Sequence, residues 1–213
     1  MSNEFGYIPE SPEQSFGNNK GIFTPTDIYD LTRADKYTNY GQLELIETQT
    51  VSSATAQVDF TSIEESTYNV HFLTVSNFKP EIDNATLFIR FFESGVLESG
   101  SVYQTAYQYG SATGNFGESK GTTATGLKAV PSVGNFGSEN GHGYSYLYNL
   151  GDSSKYSFQT LLSFYMNKTP DSFFQFGSGV LPQTSTVDGF RLIPSSGDID
   201  EVSVSLYGIK EYS

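Results

Sequence analysis

The residues of this chain that could do chemistry are few: two histidines, three acidic clusters and tyrosines at alternating positions. His71 sits inside an alternating apolar run, and His142 lies in Gly141-His142-Gly143. A serine nucleophile needs such a base and an acid to orient it, and triad members come from distant parts of a chain. The hydrolase serine elbow also needs a helix behind its strand, and the patterning described below supplies none. Both histidines therefore read as strand or loop residues making ordinary hydrogen bonds.

Acids gather at Glu64-Glu65, at Glu81-Ile82-Asp83-Asn84 and at Asp198-Ile199-Asp200-Glu201. Glycoside hydrolysis needs two carboxyls about 5 to 9 Å apart across a sugar, a pairing that sequence does not reveal. Oxygen ligands on a turn suit Ca²⁺, yet the third cluster lacks the twelve-residue EF-hand pattern. All three read as solvated turn acids, and no catalytic residue, metal or cofactor is assigned. Tyr144, Tyr146 and Tyr148 share one face of a strand by the period of two. Such a strip can stack on a sugar, but it can equally be a protein-contact surface or a half-buried sheet face, and the absence of Trp weakens a sugar platform. With Phe116 and Phe136, these tyrosines form the candidate ligand or partner surface.

Several functions are disfavoured. No Walker loop or dinucleotide fingerprint is present, because the Gly-rich segments lead into strands rather than helices. The formal net charge of −13, from 24 acids and 11 bases, opposes the counterion release that drives nucleic-acid binding. The chain has no Cys, so thiolate chemistry and disulfides are excluded. No run approaches 18 apolar residues, which predicts no membrane span. The start, Met1-Ser2-Asn3-Glu4-Phe5-Gly6, lacks a basic segment and an apolar signal core. The expectation is a protein kept in the cytoplasm until it assembles or is released.

The elements that must position these residues are strands. Seventeen Phe and fifteen Tyr suit pleated surfaces, where a planar ring packs well. Candidate strands are 43–51, 55–60, 67–75, 85–92, 101–109, 143–150, 156–166, 173–180, 186–193 and 201–210. The run 85–92 is the most continuously apolar and reads as a central strand. The last two, flanking Pro194-Ser195-Ser196-Gly197-Asp198, read as a closing β-hairpin. Residues 110–143 are poor in apolar side chains and repeat a Gly-Asn-Phe-Gly framework at 114–117 and 134–137. They read as one long loop in which each Phe tucks down while Gly permits positive φ.

Residues 1–41 are punctuated by Pro, Gly and Asn, with isolated apolar residues that cannot make a core. They read either as a flexible leader or as an extended arm whose Phe5, Tyr7, Ile8, Phe16, Ile22, Phe23, Ile28 and Leu31 anchor on a neighbouring subunit. Thr24-Pro25-Thr26-Asp27 predicts one short helix within it, with Thr24 as cap and Pro25 at the first position. The predicted organisation is an all-β antiparallel sandwich of about ten strands over 42–213, preceded by that segment.

Three segments carry a resemblance: Gly21 to Leu31, Leu43 to Ser53, and the ending from Val187-Asp188-Gly189-Phe190 to Leu206-Tyr207-Gly208-Ile209. Together they resemble virion proteins of tailed phages, most closely small β-sandwich structural proteins of marine phages. The resemblance touches both ends and about half the chain. It implies a jelly-roll-like body with an attachment arm, and a non-enzymatic, homo-oligomeric particle component on the exterior, of capsid decoration or head-fibre type, or alternatively a tail fibre or adaptor subunit. It further implies partners among the major capsid or tail proteins and assembly into the virion in the host cytoplasm. A carbohydrate-binding module that takes a host-surface glycan is the second expectation.

Overall fold

Alternation in the sequence becomes strand pairing in a computed structural model that describes residues 14–15, 18–19, 24–34 and 42–211. The chain divides into two units, Met1–Gln42 and Leu43–Ser213. In the first, β1 (Gln14–Ser15) pairs antiparallel with β2 (Asn18–Asn19), and α1 spans Pro25–Arg33. The helix starts where the sequence places it, because Thr24 and Asp27 form a reciprocal capping box. Thr24 Oγ1 accepts from the Asp27 amide at 3.2 Å, and Asp27 Oδ2 accepts from the Thr24 amide at 2.8 Å. Those bonds from Thr24 hold the Asp27 carboxyl below the usual carboxylate range. Ile28 and Leu31 are half-buried; Phe5, Tyr7, Ile8, Phe16, Ile22 and Phe23 lie outside the described residues.

The second unit is built from β3 (Leu43–Val51), β4 (Val58–Phe60), β5 (Val70–Pro80), β6 (Ala85–Glu93), β7 (Val96–Leu97), β8 (Tyr103–Ser111), β9 (Phe116–Ala124), β10 (Leu127–Val133), β11 (Gly141–Tyr148), β12 (Ser157–Met166), β13 (Ser172–Leu181), β14 (Val187–Pro194) and β15 (Ile199–Ile209). All pairs are antiparallel. The larger sheet has the order β3-β15-β5-β11-β12-β13-β8-β9 and the smaller β10-β6-β14-β4, with β7 paired to β6. The first strand of this unit lies beside the last, and the second beside the next to last. The half-sheet β3-β15-β5-β11 and the sheet β4-β14-β6-β10 thus form the two-sheet order of a jelly roll. Strands β12, β13, β8 and β9 extend the larger sheet beyond that body.

The core lies between the sheets. Phe60 and Phe190 stack at 4.8 Å, and Leu87, Ile89, Phe91 and Leu192 of the smaller sheet share one cluster with Leu73, Val75, Leu147, Val204 and Leu206 of the larger. Tyr103 is fully buried, yet its hydroxyl accepts from the Phe91 amide at 2.9 Å and donates to the Glu98 carbonyl at 3.1 Å. As the unbroken apolar run predicts, β6 lies inside a sheet, between β10 and β14.

Two expectations are corrected. The closing hairpin does not exist: β14 pairs with β4 and β6 in one sheet, whereas β15 pairs with β3 and β5 in the other. Residues 195–198 are an arch across the sandwich, with the Ser195 amide bonded to the Thr86 carbonyl and the Glu81 amide to the Asp198 carbonyl. Alternation requires a buried face, and facing sheets satisfy that as well as a shared one. Residues 110–143 are not a loop either, since they hold β9 and β10. Both are edge strands, and that is why they carry weak strand signals. At its edge β9 mixes Gly, Lys and Glu, which suppress further pairing, and β10 contains Pro131, which an edge tolerates.

The repeated Gly-Asn-Phe-Gly framework also resolves into two different structures. At the first copy Gly114 adopts φ 90° in the β8-β9 hairpin turn, where the Ser111 amide bonds to the Asn115 carbonyl. In the second copy Glu139 Oε2 accepts from the Phe136 amide at 3.0 Å, closing the β10-β11 turn. Neither ring is tucked down: Phe116 is 76% exposed and Phe136 83%.

Candidate functional site

The two faces of the larger sheet differ in chemistry. Tyr144, Tyr146 and Tyr148 point outward from β11, because Ser145 and Leu147 between them are buried. They form one aromatic cluster with residues the sequence reading did not select: Phe72 on β5 lies 4.9 Å from Tyr146 and 5.8 Å from Tyr144, and Tyr207 on β15 lies 6.2 Å from Phe72. Neighbouring strands continue the face. Phe158 and Phe164 alternate outward on β12, and Phe174 and Phe176 stack on β13. Phe116 joins the far side of this face, four strands from β11, and crowds against Gly110 beside Phe174. Phe136 sits instead on the β10-β11 turn.

A signal for this face was present in the sequence. Ser172-Phe173-Phe174-Gln175-Phe176 is aromatic at both parities, as a strand covered on two sides would be. The strands β11, β12, β13 and β8 are consecutive in the sheet and contain no Asp, Glu, Lys or Arg. On the inner side the smaller sheet packs over β11 and β12 through β10, whereas the outer side of all four strands is uncovered.

The inner face becomes polar where the smaller sheet stops. That sheet ends at β10, which lies over β12, while the larger sheet runs on through β13, β8 and β9. Beside the β10 edge is a cleft of about 440 Å³ lined by Tyr109, Tyr165, Phe173, Gln175, Lys128 and Ser119, among others. Tyr165 and Phe173 stack at 5.6 Å, and Tyr109 lies 6.3 Å from Phe173. Burial pushes the Tyr165 hydroxyl up to about 12, so it stays a proton donor at neutral pH. Lys128 donates from Nζ to Ser119 Oγ at 3.0 Å and lies 5.4 Å from the Tyr107 ring centre; burial lowers the ammonium pKa.

Ser119 lies within Gly117-Glu118-Ser119-Lys120-Gly121, which spells the hydrolase elbow pattern. Here the five residues run along β9, with no turn into a helix, so the strand geometry of the elbow is absent.

The remaining candidates are structural. His71 is buried, its Nε2 lies 2.7 Å from the Ile63 carbonyl, and desolvation lowers its pKa. His142 is exposed, accepting from the Asn77 amide at 3.3 Å. The structure does bring two acidic clusters to one end of the sandwich, where Glu81 Oε2 accepts from the Asp198 amide at 3.0 Å. Among the described residues no three His, Asp or Glu side chains converge at metal-ligand spacing, and no helix is long and apolar enough to cross a membrane.

With the jelly-roll body and its two contrasting faces defined, comparison with known proteins adds no relative: no protein-family model, no curated protein and no solved structure matches the chain. A jelly roll hosts many unrelated functions, so function has to be read from the faces themselves.

Proposed function

We propose that this chain is a non-enzymatic structural subunit on the exterior of a tailed-phage particle, and that its copies join through the outer face of the larger sheet. Capsid decoration or head-fibre type stands ahead of a tail fibre or adaptor subunit. The observation that carries the reading is the uncharged aromatic face over β11, β12, β13 and β8, where Phe164 is 49% exposed and Phe176 44%. Copies with a net charge of −13 repel one another. That repulsion is smallest where a broad surface carries no charge, and the same surface offers nothing complementary to a charged partner. A two-fold contact needs the face only to complement itself, and homo-oligomeric interfaces are more apolar than other surface.

The four strands of the uncharged face, about 4.8 Å apart and about eight residues long, present roughly 500 Å², so a standard interface of ~800 Å² per partner takes in the neighbouring strands as well. The phage assignment itself rests on the resemblance at both ends of the chain, and a jelly-roll body is compatible with it. Partners are then the major capsid or tail proteins, and the location is the virion, assembled in the host cytoplasm.

Sedimentation of the full chain beside a Phe164→Glu/Phe176→Glu variant tests the joining face, and co-sedimentation with mature phage particles tests the assignment. The wild type is expected to be oligomeric and the variant a folded monomer. A wild type that stays monomeric at its highest soluble concentration, and does not bind particles, overturns the proposal.

A further inference from the structure

The larger sheet buries two glutamines on its inner face, and they are treated differently. Gln159 on β12 is fully buried and satisfied: Nε2 donates to the Lys128 carbonyl at 2.8 Å and to Ser145 Oγ at 3.0 Å, and Oε1 accepts from the Tyr107 hydroxyl at 3.4 Å. Gln175 on the neighbouring β13 is 2% exposed, yet its Nε2 has no hydrogen-bond partner. An unsatisfied buried amide is destabilising, and a Leu or Met of similar volume would remove that cost. Gln175 borders the cleft at the β10 edge.

We infer that this cleft is a binding site for a neutral saccharide. A sugar ring has an apolar C–H face and an equatorial fringe of hydroxyls, and the cleft offers a match for each. The stacked Tyr165 and Phe173, with Tyr109 beside them, form an aromatic wall for the C–H face. Sugar hydroxyls both donate and accept, so they can meet the free Gln175 amide nitrogen, the amides of Asn84 and Asn167, and the Lys128 ammonium. The volume of about 440 Å³ falls within the roughly 300–1,000 Å³ typical of small-ligand sites. A neutral ligand fits better than an anionic one, because the chain as a whole is acidic and the cleft's lysine, Lys128, is already bonded to Ser119.

The cleft is distinct from the outer tyrosine strip, since Gln175 and Tyr109 point to the opposite face of the sheet from Tyr144, Tyr146 and Tyr148. The inference is also independent of the assembly proposal. Its origin is architectural: the larger sheet runs past the β10 edge of the smaller one, and the inner face beside that edge is polar and aromatic.

The test is calorimetric titration of the full chain with glucose-, galactose- and N-acetylhexosamine-based disaccharides, alongside Gln175→Met, Tyr109→Ala, Gln159→Met and Tyr146→Ser. At least one disaccharide is expected to bind the wild type, with affinity reduced tenfold or more by Gln175→Met and by Tyr109→Ala. Gln175→Met is expected to keep or raise the melting temperature while losing the ligand, whereas Gln159→Met lowers the melting temperature. Tyr146→Ser, and the Phe164→Glu/Phe176→Glu variant used to test assembly, should leave binding unchanged. The inference is overturned if no disaccharide binds, if Gln175→Met binds as the wild type does, or if Tyr146→Ser is the change that abolishes binding.

Discussion

On the back of the smaller sheet, Arg191 reaches Asp59 with two hydrogen bonds of 2.7 Å, its guanidinium 5.5 Å from the Phe92 ring centre, and Arg90 stands directly across the strand pair. The back of the larger sheet carries Tyr144, Phe158, Phe164 and Phe176, each more than a third exposed, on strands that have no charged residue. One back carries charge, with its aromatic ring roofed by the Arg191 cation and that cation paired to Asp59. The other leaves its rings open. A single core holds both sheets, so the difference lies in the backs themselves, and it is the basis of the assembly proposed above.

The comparison depends on a core that is indifferent to either back, and the largest expected effect tests that. Phe190 is fully buried and stacked on Phe60 at 4.8 Å between the sheets. Phe190→Ala should cost about 3–5 kcal/mol, measured by urea unfolding at a concentration where the chain is monomeric. A loss below about 1 kcal/mol would mean that the stability of the unit resides elsewhere, and the division into core and backs would be wrong.

Titration of His71 probes the same core more gently. Its neutral form is favoured in the folded state, because burial lowers its pKa below the ordinary 6.5 against smaller opposing effects from the Ile63 carbonyl and Glu65. The unfolded chain takes up a proton near pH 6.5 and the folded chain does not, so stability is complete above that pH. As pH falls below it, up to about 1.4 kcal/mol is lost per pH unit until the folded pKa is reached. Unfolding followed from pH 7.5 to 5 should show this decline, and His71→Gln, which keeps a donor for the Ile63 carbonyl, should flatten it. An equal decline in the variant would assign the effect to other groups.

Much of the body was legible from the sequence, for reasons that also explain what was not. The alternation over Val187–Ile193 and Val202–Leu206 fixes which side chains are buried. It is silent on whether two adjacent strands share a sheet, so a sandwich arch read as a hairpin. The edge strands were hidden by the features that make them good edges: Gly117, Lys120 and Gly121 in β9, and Pro131 in β10. Tyr144, Tyr146 and Tyr148 were visible as one face because a single strand carries them. The cleft was not, because Tyr109, Lys128, Tyr165, Phe173 and Gln175 come from four strands and converge only after two sheets of unequal width have packed. An unpaired amide nitrogen leaves no trace in a sequence.

The smallest expected effects separate the two backs most sharply. Asp59→Asn removes the charge that holds Arg191 and leaves it facing Arg90, at a cost of about 1 kcal/mol or less, since the pair is partly solvated. Phe164→Thr deletes a whole aromatic ring on the other back, yet in the monomer it should change stability by no more than about 0.5 kcal/mol, because half of that ring already faces water and Thr suits a strand. If the charge-neutralising change costs at least as much as the loss of a ring, the aromatic face contributes little to the fold of one copy. Its cost should then surface only when the same two variants are compared at concentrations where the wild type associates, with Phe164→Thr weakening assembly and Asp59→Asn leaving it intact. The opposite pattern, with Phe164→Thr destabilising the monomer by several kcal/mol, would make the face part of the fold and remove the reason for it to meet a second copy.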